Sequence, residues 1–284
     1  MSEPLLTVRA LTKRYATSAG RWASRERSEF TAVDGVSFTL DAGRTLGIVG
    51  ESGSGKTTLV RMILRAIDPS SGHAIYRTAA GEQLDLTTLT ERELQPLRRE
   101  LQMIFQDPFS SLNPRMTVQS ILEEPLIVHG ERDANARLSA VQAMLDLVAL
   151  PRSSLTRFPH AFSGGQRQRI SIARALILRP RLVVCDESVS ALDVSVQAQV
   201  INLLGDLQQE LGLTYLFVAH DLAVVRHICD EVLVLYRGRV VEQGPTETLF
   251  NSPQHDYTRL LLSAIPEPDP DRPLRPLDRA TLNF

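Results

Sequence analysis

The hydrophobic positions follow an alternating pattern at the start of the chain and a continuous pattern further on. Residues 5–14 and 31–40 alternate roughly between apolar and polar side chains, which predicts two strands. The runs at Thr45–Val49, 182–185 and 213–219 are apolar throughout, as parallel strands buried on both faces require. The second group of strands therefore indicates an α/β arrangement.

Apolar residues recur at helical spacing in several later segments. From residue 118 to about 150 this spacing is interrupted near Gly130, which predicts helical structure with a break at that glycine. A short strand is expected at 101–105, and a small meander at 231–242 that turns at Arg237-Gly238. Further helices are expected over 56–67, 166–178, 194–210, 222–229 and near 257–264, and the proline-rich end at 266–276 is expected to be disordered.

The composition excludes several classes of protein. The chain has 284 residues, of which 43% are hydrophobic, enough for a core in one large domain or two small ones. Lys and Arg (31) nearly balance Asp and Glu (33), so no basic field argues for a nucleic-acid partner. The cysteines, Cys185 and Cys229, have no metal-ligand spacing, and neither a signal peptide nor a membrane-spanning run is present. We therefore expect a soluble, cytosolic chain.

A glycine-rich loop follows the strand Thr45–Val49 and precedes a predicted helix. It matches the pattern G-x-x-x-x-G-K-[ST], whose glycines let backbone N–H groups converge on the α- and β-phosphates of a nucleotide. We expect Lys56 to reach the β- and γ-phosphates and the Thr57 hydroxyl to ligate Mg²⁺. The residues of this phosphate loop are Gly50, Glu51, Ser52, Gly53, Ser54, Gly55, Lys56 and Thr57.

Two acidic residues, Asp186 and Glu187, end the apolar run at 182–185. A carboxylate at the end of a strand beside a phosphate loop can hold Mg²⁺, which is the role expected of Asp186. Glu187 would then orient or deprotonate the attacking water. Taken alone, two acids at a strand end are more often structural, and it is the phosphate loop that favours the functional interpretation.

Three further side chains have a functional and a structural interpretation. His220 follows an apolar strand and could contact the γ-phosphate or the water, although a lone histidine there is more often structural. Gln106 follows the strand at 101–105 and could sense Mg²⁺ or the water. Tyr15 could stack on a base, but a strand-end tyrosine is equally plausible as part of the core.

A second candidate for phosphate binding lies about a hundred residues after the first. Its residues are Ser163, Gly164, Gly165 and Gln166, at the start of a predicted helix. A hydroxyl and two glycines there would direct free N–H groups and the positive end of the helix dipole at one point. This loop has no phosphate lysine, which raises the question of whose phosphate it holds.

In their order along the chain these motifs resemble the ATP-binding cassette (ABC) ATPases, through Gly244. The resemblance implies ATP and Mg²⁺ as ligands. It also implies an α/β fold: a P-loop NTPase core with an N-terminal antiparallel β subdomain and an α-helical insertion subdomain. The implied boundaries are 1–106 and 163–244 for the core with its β subdomain, 107–162 for the helical subdomain and 245–284 for a C-terminal extension.

The resemblance also implies a role for each motif residue. Tyr15 would contact the adenine, and Thr58 would join the phosphate loop in binding ATP. Gln106 would ligate the metal with Thr57 and Asp186, and it would act as a lever among the catalytic residues. Glu187 would be the catalytic base and His220 the switch. One departure is Ser188, where the family usually has proline; we expect it to alter the rigidity of the turn more than the chemistry.

In this family two cassettes pair head to tail, which would answer the question about the second loop. Ser163 to Gln166 would then bind, in trans, the ATP held by the partner's phosphate loop, and Asp193 would lie in the contact loop between the chains. The sequence leaves open whether the partner is a second copy or a paralogue.

Segments at 106–116, 158–162, 191–199 and 253–266, together with the long polar loop at 18–29, resemble the ATPases of dipeptide and oligopeptide importers. That implies two permease subunits as partners, a periplasmic or lipoprotein solute-binding protein as an indirect partner, and a location at the cytoplasmic face of the inner membrane. The cargo stays open among dipeptides, oligopeptides, opines and nickel. Phe109, Leu112 and Met116 either line a groove for permease loops or pack the core of the insertion. The alternative function is a soluble ABC ATPase that acts in a multiprotein complex without a permease.

Overall fold

A computed structural model describes residues 3–17, 28–105, 107, 111–188, 190 and 192–264. They divide into two compact units, the first formed by Met1–Thr88 and Phe217–Phe284 and the second by Leu89–Leu216. The strand β8, Thr214–Val218, contains the point of division. The predicted disordered end at 266–276 lies outside the described residues.

The N-terminal part of the first unit is an antiparallel sheet of four strands in the order β2-β1-β4-β5. The alternation in the sequence arises because β1 buries only some of its side chains: Leu6, Val8 and Leu11 are buried, while the residues between them are not. The strands are β1 (Leu6–Thr17), β2 (Ser28–Leu40), β4 (Ser71–Arg77) and β5 (Gln83–Asp85).

The first unit also contains a parallel strand pair with a hairpin at its edge. The fully buried strand β3 (Thr45–Val49) pairs in parallel with β9 (Glu231–Tyr236), which pairs antiparallel with β10 (Arg239–Pro245). Gly238 has a φ of 81° in the turn between β9 and β10, as the predicted Arg237-Gly238 turn requires. The helices of this unit are α1 (Lys56–Ile63), α7 (Leu222–Ile228), α8 (Thr246–Asn251) and α9 (Asp256–Ser263).

The second unit combines a parallel strand pair with most of the helices. Its strands β6 (Leu101–Ile104) and β7 (Leu182–Asp186) are parallel, and β7 is buried along its whole length. The break predicted near Gly130 is confirmed, since that residue has a φ of 90° between two helices. The helices are α2 (Glu91–Leu97), α3 (Val118–Val128), α4 (Ala134–Leu147), α5 (Gly164–Leu176) and α6 (Val194–Leu211), with 3-10 turns at Arg152–Ser154 and Pro159–Ala161.

Some helix bounds differ from the sequence prediction for local reasons. The helix α1 ends at Ile63 and not near residue 67, since Arg65 adopts a φ of 53°, which no helix continues through. The helix α5 begins at Gly164, two residues earlier than predicted, because Ser163 caps it. Within the described residues, no helix is both long enough and apolar enough to cross a membrane.

Candidate functional site

The phosphate loop joins β3 to α1 and packs closely against other backbone of the first unit. Gly50 has a φ of 152°, and a Cβ added there would lie 2.2 Å from the carbonyl oxygen of Leu235. Gly55 has a φ of 105°, and its Cβ would lie 2.4 Å from the carbonyl oxygen of Ala32. Because neither position has room for a Cβ, the sequence needs glycine at both ends of the loop.

The inner side of the loop is arranged to receive phosphate. Lys56 is 5% exposed, and its Nζ donates hydrogen bonds to the carbonyl oxygens of Gly50 (2.7 Å) and Glu51 (2.9 Å). The Ser54 hydroxyl is buried and has no hydrogen-bond partner among the described residues. A buried cation and an unsatisfied hydroxyl within one loop fit a polyphosphate, which accepts hydrogen bonds from both.

Tyr15 lies on an exposed part of the antiparallel sheet. Its ring is 41% exposed, the Nζ of Lys13 lies 5.1 Å from the ring centroid, and its partner across the strands is Phe30, which is 56% exposed. An exposed aromatic pair offers flat faces on which a base can stack. The core interpretation of Tyr15 is therefore less favoured than the base-stacking one.

His220 follows β8 in the first unit and is exposed. The next residue, Asp221, caps α7 by accepting a hydrogen bond from the Ala223 N–H at 2.9 Å. The cap fixes the backbone directly after His220, which itself lies exposed at the end of β8.

In the second unit, Asp186 and Glu187 differ in their surroundings. Asp186 is 4% exposed, whereas Glu187 is half-buried. Glu187 has a φ of 48°, a left-handed conformation that costs a non-glycine residue about 1–2 kcal/mol. The N–H and the hydroxyl of Ser190 both donate to the Glu187 carbonyl oxygen, at 3.1 and 2.9 Å, and hold the turn in this conformation.

The second candidate loop forms a closed capping box at the start of α5. The Ser163 hydroxyl accepts from the Gln166 N–H at 3.3 Å, and the Gln166 side chain accepts from the Ser163 N–H at 3.2 Å. A Cβ added to Gly165 would lie 2.4 Å from Cγ1 of Val196, so α5 and the start of α6 are in close contact there. Ser163 and Gln166 are exposed, which leaves the end of the helix accessible to another molecule.

Asp193 caps the N-terminus of α6, near this loop and in the same unit. Its carboxylate accepts from the Val196 N–H at 3.0 Å and from the Ser195 hydroxyl at 2.8 Å. These donors, the Val196 N–H first, hold the pKa of Asp193 below its ordinary value. Asp193 therefore has a structural role in this chain, whatever its contacts with a partner.

Part of the predicted site lies outside the described residues. Gln106 belongs to that part, as does Phe109. Of the apolar residues that follow, Leu112 is 3% exposed and packs in the core, and Met116 is half-buried. For Leu112 the core interpretation is therefore the right one.

Sequence reasoning missed one residue at the phosphate loop. The hydroxyl of Tyr257, in α9, accepts a hydrogen bond of 2.9 Å from the Glu51 N–H. The two residues are more than two hundred positions apart, and the only signal was a tyrosine at the start of a weak helical pattern. Nothing in that pattern indicates what a hydroxyl group will contact.

Buried parallel strand pairs, a strand followed by a glycine loop and a helix, and an accompanying antiparallel sheet define an α/β P-loop NTPase. Residues 33–190 match the family described as ABC transporter, and residues 241–282 match the region described as oligopeptide/dipeptide transporter, C-terminal region. The chain belongs to the ABC transporter family. The resemblance seen in its motifs is thereby confirmed.

Curated relatives cover nearly the whole chain. A peptide import ATP-binding protein of Brucella ovis is 53% identical over 268 residues, which cover 94% of this chain and 80% of the relative. The glutathione import ATP-binding protein GsiA of Salmonella typhimurium is 49% identical over 270 residues, which cover 95% of this chain but only 42% of GsiA.

Solved structures share the fold. The dimeric ATP-binding cassette MJ0796, bound to ADP and Pi, has a TM-score of 0.72 and 27% identity and covers 85% of this chain and 98% of its own. The protein cbiO1 from Clostridium perfringens, part of the ABC transporter complex cbiONQ, has a TM-score of 0.74 and 25% identity, and the match covers 88% of this chain and 92% of cbiO1. These likenesses confirm the predicted fold class.

The close packing of the phosphate loop predicts unequal effects of alanine at two of its glycines. Gly53 has a φ of 80° but nothing within 4 Å of an added Cβ, so Gly53→Ala has only backbone strain to overcome. Gly55→Ala should reduce the free energy of unfolding by about 1–3 kcal/mol more, because its Cβ also meets the Ala32 carbonyl. Urea denaturation of both variants measures the difference, and equal losses would contradict the packing described.

Proposed function

We propose that the chain is the ATP-binding and ATP-hydrolysing subunit of a bacterial ABC importer that takes up dipeptides, oligopeptides or a related small solute. The observation that carries the proposal is the phosphate loop with its buried lysine, Lys56. The class of cargo is supported by relatives named for peptide and glutathione import and by the match of residues 241–282 to the C-terminal region of oligopeptide/dipeptide transporters.

ATP binding at this loop begins with an exchange of hydrogen bonds. The Lys56 ammonium donates to two backbone carbonyls, so a β- or γ-phosphate that takes over these bonds pairs its negative charge with a cation that is already buried. The Ser54 hydroxyl gains a partner in the same step. We assign the adenine to Tyr15, and the phosphates to the residues of the loop and to Thr58.

Hydrolysis requires a group that orients water, and we assign this role to Glu187. Its left-handed backbone is held by Ser190, which fixes the direction in which the side chain leaves β7. We assign to His220 the contact with the γ-phosphate. The Thr57 hydroxyl, the Asp186 carboxylate and the Gln106 side chain are oxygen ligands of the kind Mg²⁺ prefers, and the ion would neutralise charge on the β- and γ-phosphates.

The second loop completes a site on another cassette. The N-terminus of α5 at Ser163 is exposed, and residues 163–166 include no basic side chain. The loop therefore suits a phosphate whose charge is already matched by a lysine elsewhere. We propose that Ser163, Gly164, Gly165 and Gln166 bind ATP held by a second cassette, either a copy of this chain or a paralogue. The dimeric structure of MJ0796 supports such pairing.

The second unit has a groove suited to a permease segment. The groove has a volume of about 360 Å³, and its apolar rim includes Phe105 and Val128, which are 47% and 65% exposed. Glu124 and Arg174 add a polar edge, joined by a 3.1 Å ion pair. Exposed apolar groups beside charged ones are typical of a protein interface. We propose that two permease subunits dock at such grooves at the cytoplasmic face of the inner membrane, with a solute-binding protein outside.

The domain division predicted from the sequence stays part of the proposal: a nucleotide-binding core at 1–106 and 163–244, a coupling subdomain at 107–162 and an extension at 245–284. Of these, the extension is supported by the match of residues 241–282.

Removing the carboxylate of Glu187 should separate ATP binding from hydrolysis. Glu187→Gln should lower ATP turnover by at least about 100-fold, since a general base contributes that much or more, while ATP affinity stays within about twofold. The ATP-bound variant should accumulate as a dimer on size exclusion if the partner is a second copy, or with the paralogue if it is not. The exposed acid Glu210 provides the control, Glu210→Gln, which should turn over ATP like wild type. Wild-type turnover in Glu187→Gln would refute the assigned role.

Purification from the native membrane tests the transport function itself. A tagged chain, solubilised in mild detergent, should bring with it two permease subunits and a second cassette, identified by mass spectrometry. Substituting Val128→Asp in the proposed groove should reduce the recovered permeases while leaving ATP binding unchanged, because the charge would have to be buried in the interface. Recovery of soluble partners alone would favour the ABC ATPase without a permease.

A further inference from the structure

The C-terminal segment reaches the phosphate loop through one side chain. Tyr257 lies in α9 and is fully buried, and its hydroxyl accepts the 2.9 Å hydrogen bond from the Glu51 N–H. A buried phenol normally has a hydrogen-bond partner, so the bond alone would be unremarkable in a core. Its position is the informative point, because Glu51 belongs to the loop that receives phosphate.

Several contacts fix the position of Tyr257. Its ring packs against that of Tyr236, with centroids 4.3 Å apart. Before α9, the carboxylate of Glu242 accepts hydrogen bonds from the N–H groups of Gln254 (2.8 Å) and His255 (3.0 Å). Partial burial would raise the pKa of Glu242, but these hydrogen bonds outweigh it and hold the pKa below its ordinary value. Tyr257 is thus anchored to the hairpin of β9 and β10.

The same hairpin supports the phosphate loop directly. The Gly238 N–H donates to the Ser54 carbonyl oxygen at 2.9 Å, and the Leu235 carbonyl lies against Gly50. Tyr236, which packs on Tyr257, lies between these two residues in the chain. The hairpin and α9 therefore form one support beneath the loop.

Tyr257 and Lys56 hold the two sides of one peptide group. The carbonyl of Gly50 and the N–H of Glu51 belong to the same planar unit, and because the structure has no cis peptide among the described residues, they point in opposite directions. Lys56 donates to the carbonyl side and Tyr257 accepts from the N–H side. A phosphate that draws the Lys56 ammonium away leaves the Tyr257 bond in place.

We propose that Tyr257 is a positioning residue of the nucleotide site, which keeps the Gly50–Glu51 peptide in place when Lys56 turns to the phosphates. The inference rests on the proposed binding of ATP at this loop. It gives the C-terminal segment a function inside its own chain: the hydroxyl contributes more to the nucleotide-bound form than to the free form, in which Lys56 also holds the peptide.

The test compares two substitutions that each remove one buried phenolic hydroxyl. Tyr215 provides the control, since it is also fully buried and its hydroxyl donates to the Leu204 carbonyl at 3.0 Å, in the second unit. Tyr257→Phe should weaken ATP binding about three- to tenfold, no more than the net contribution of one hydrogen bond because the free form loses part of that contribution as well. The loss should be the same for GTP because the phosphates are shared. Tyr215→Phe should bind ATP like wild type.

Calorimetric titration of the full chain gives the dissociation constants, and thermal melting of the free protein gives its stability. A purely structural tyrosine would lower the melting temperature without changing nucleotide affinity, so unchanged ATP binding in Tyr257→Phe would overturn the inference. Equal losses of affinity in both variants would overturn it as well. Absence of ATP binding in the wild-type chain would instead refute the proposed function and is distinguishable from either result.

Discussion

The phosphate loop packs backbone against backbone on two sides, and this constraint underlies the remainder of the nucleotide site. Gly50 lies against the Leu235 carbonyl and Gly55 against the Ala32 carbonyl, with no room for a Cβ at either. Neighbours this close fix the path of the loop before any ligand arrives. In the free protein the buried Lys56 ammonium donates to the loop's own carbonyls, and it is already placed to exchange these hydrogen bonds for ones to phosphate oxygens.

The parts that could be predicted from the sequence are those governed by local pattern. Runs such as 182–185 are apolar throughout because both faces of β7 are buried. The loop at Gly50 has glycines, a lysine and a threonine at a spacing that few structures other than a phosphate loop require. The break at Gly130 was visible for the same reason, since glycine tolerates the positive φ found there. For these elements, local sequence and tertiary structure agree.

The parts that could not be predicted depend on distant contacts or on contradictory local signals. The strand β4 was missed because it is only partly buried, and β5 because it has only three residues. The helix α2 was missed because it contains Pro96, which normally argues against a helix. The contact of Tyr257 with Glu51 joins opposite ends of the chain. The left-handed φ of Glu187 likewise depends on bonds from Ser190 that no propensity describes.

We propose that this chain supplies half of each of two ATP sites, with the phosphate loop acting in its own chain and the Ser163 loop acting on a partner. Hydrogen–deuterium exchange with and without ATP, measured over a range of concentrations of chain and partner cassette, distinguishes the two roles. ATP should protect the amides of residues 50–58 at every concentration, but those of residues 163–166 only when the cassettes pair. Protection of residues 163–166 in the isolated monomer, or none at residues 50–58, would contradict this proposal.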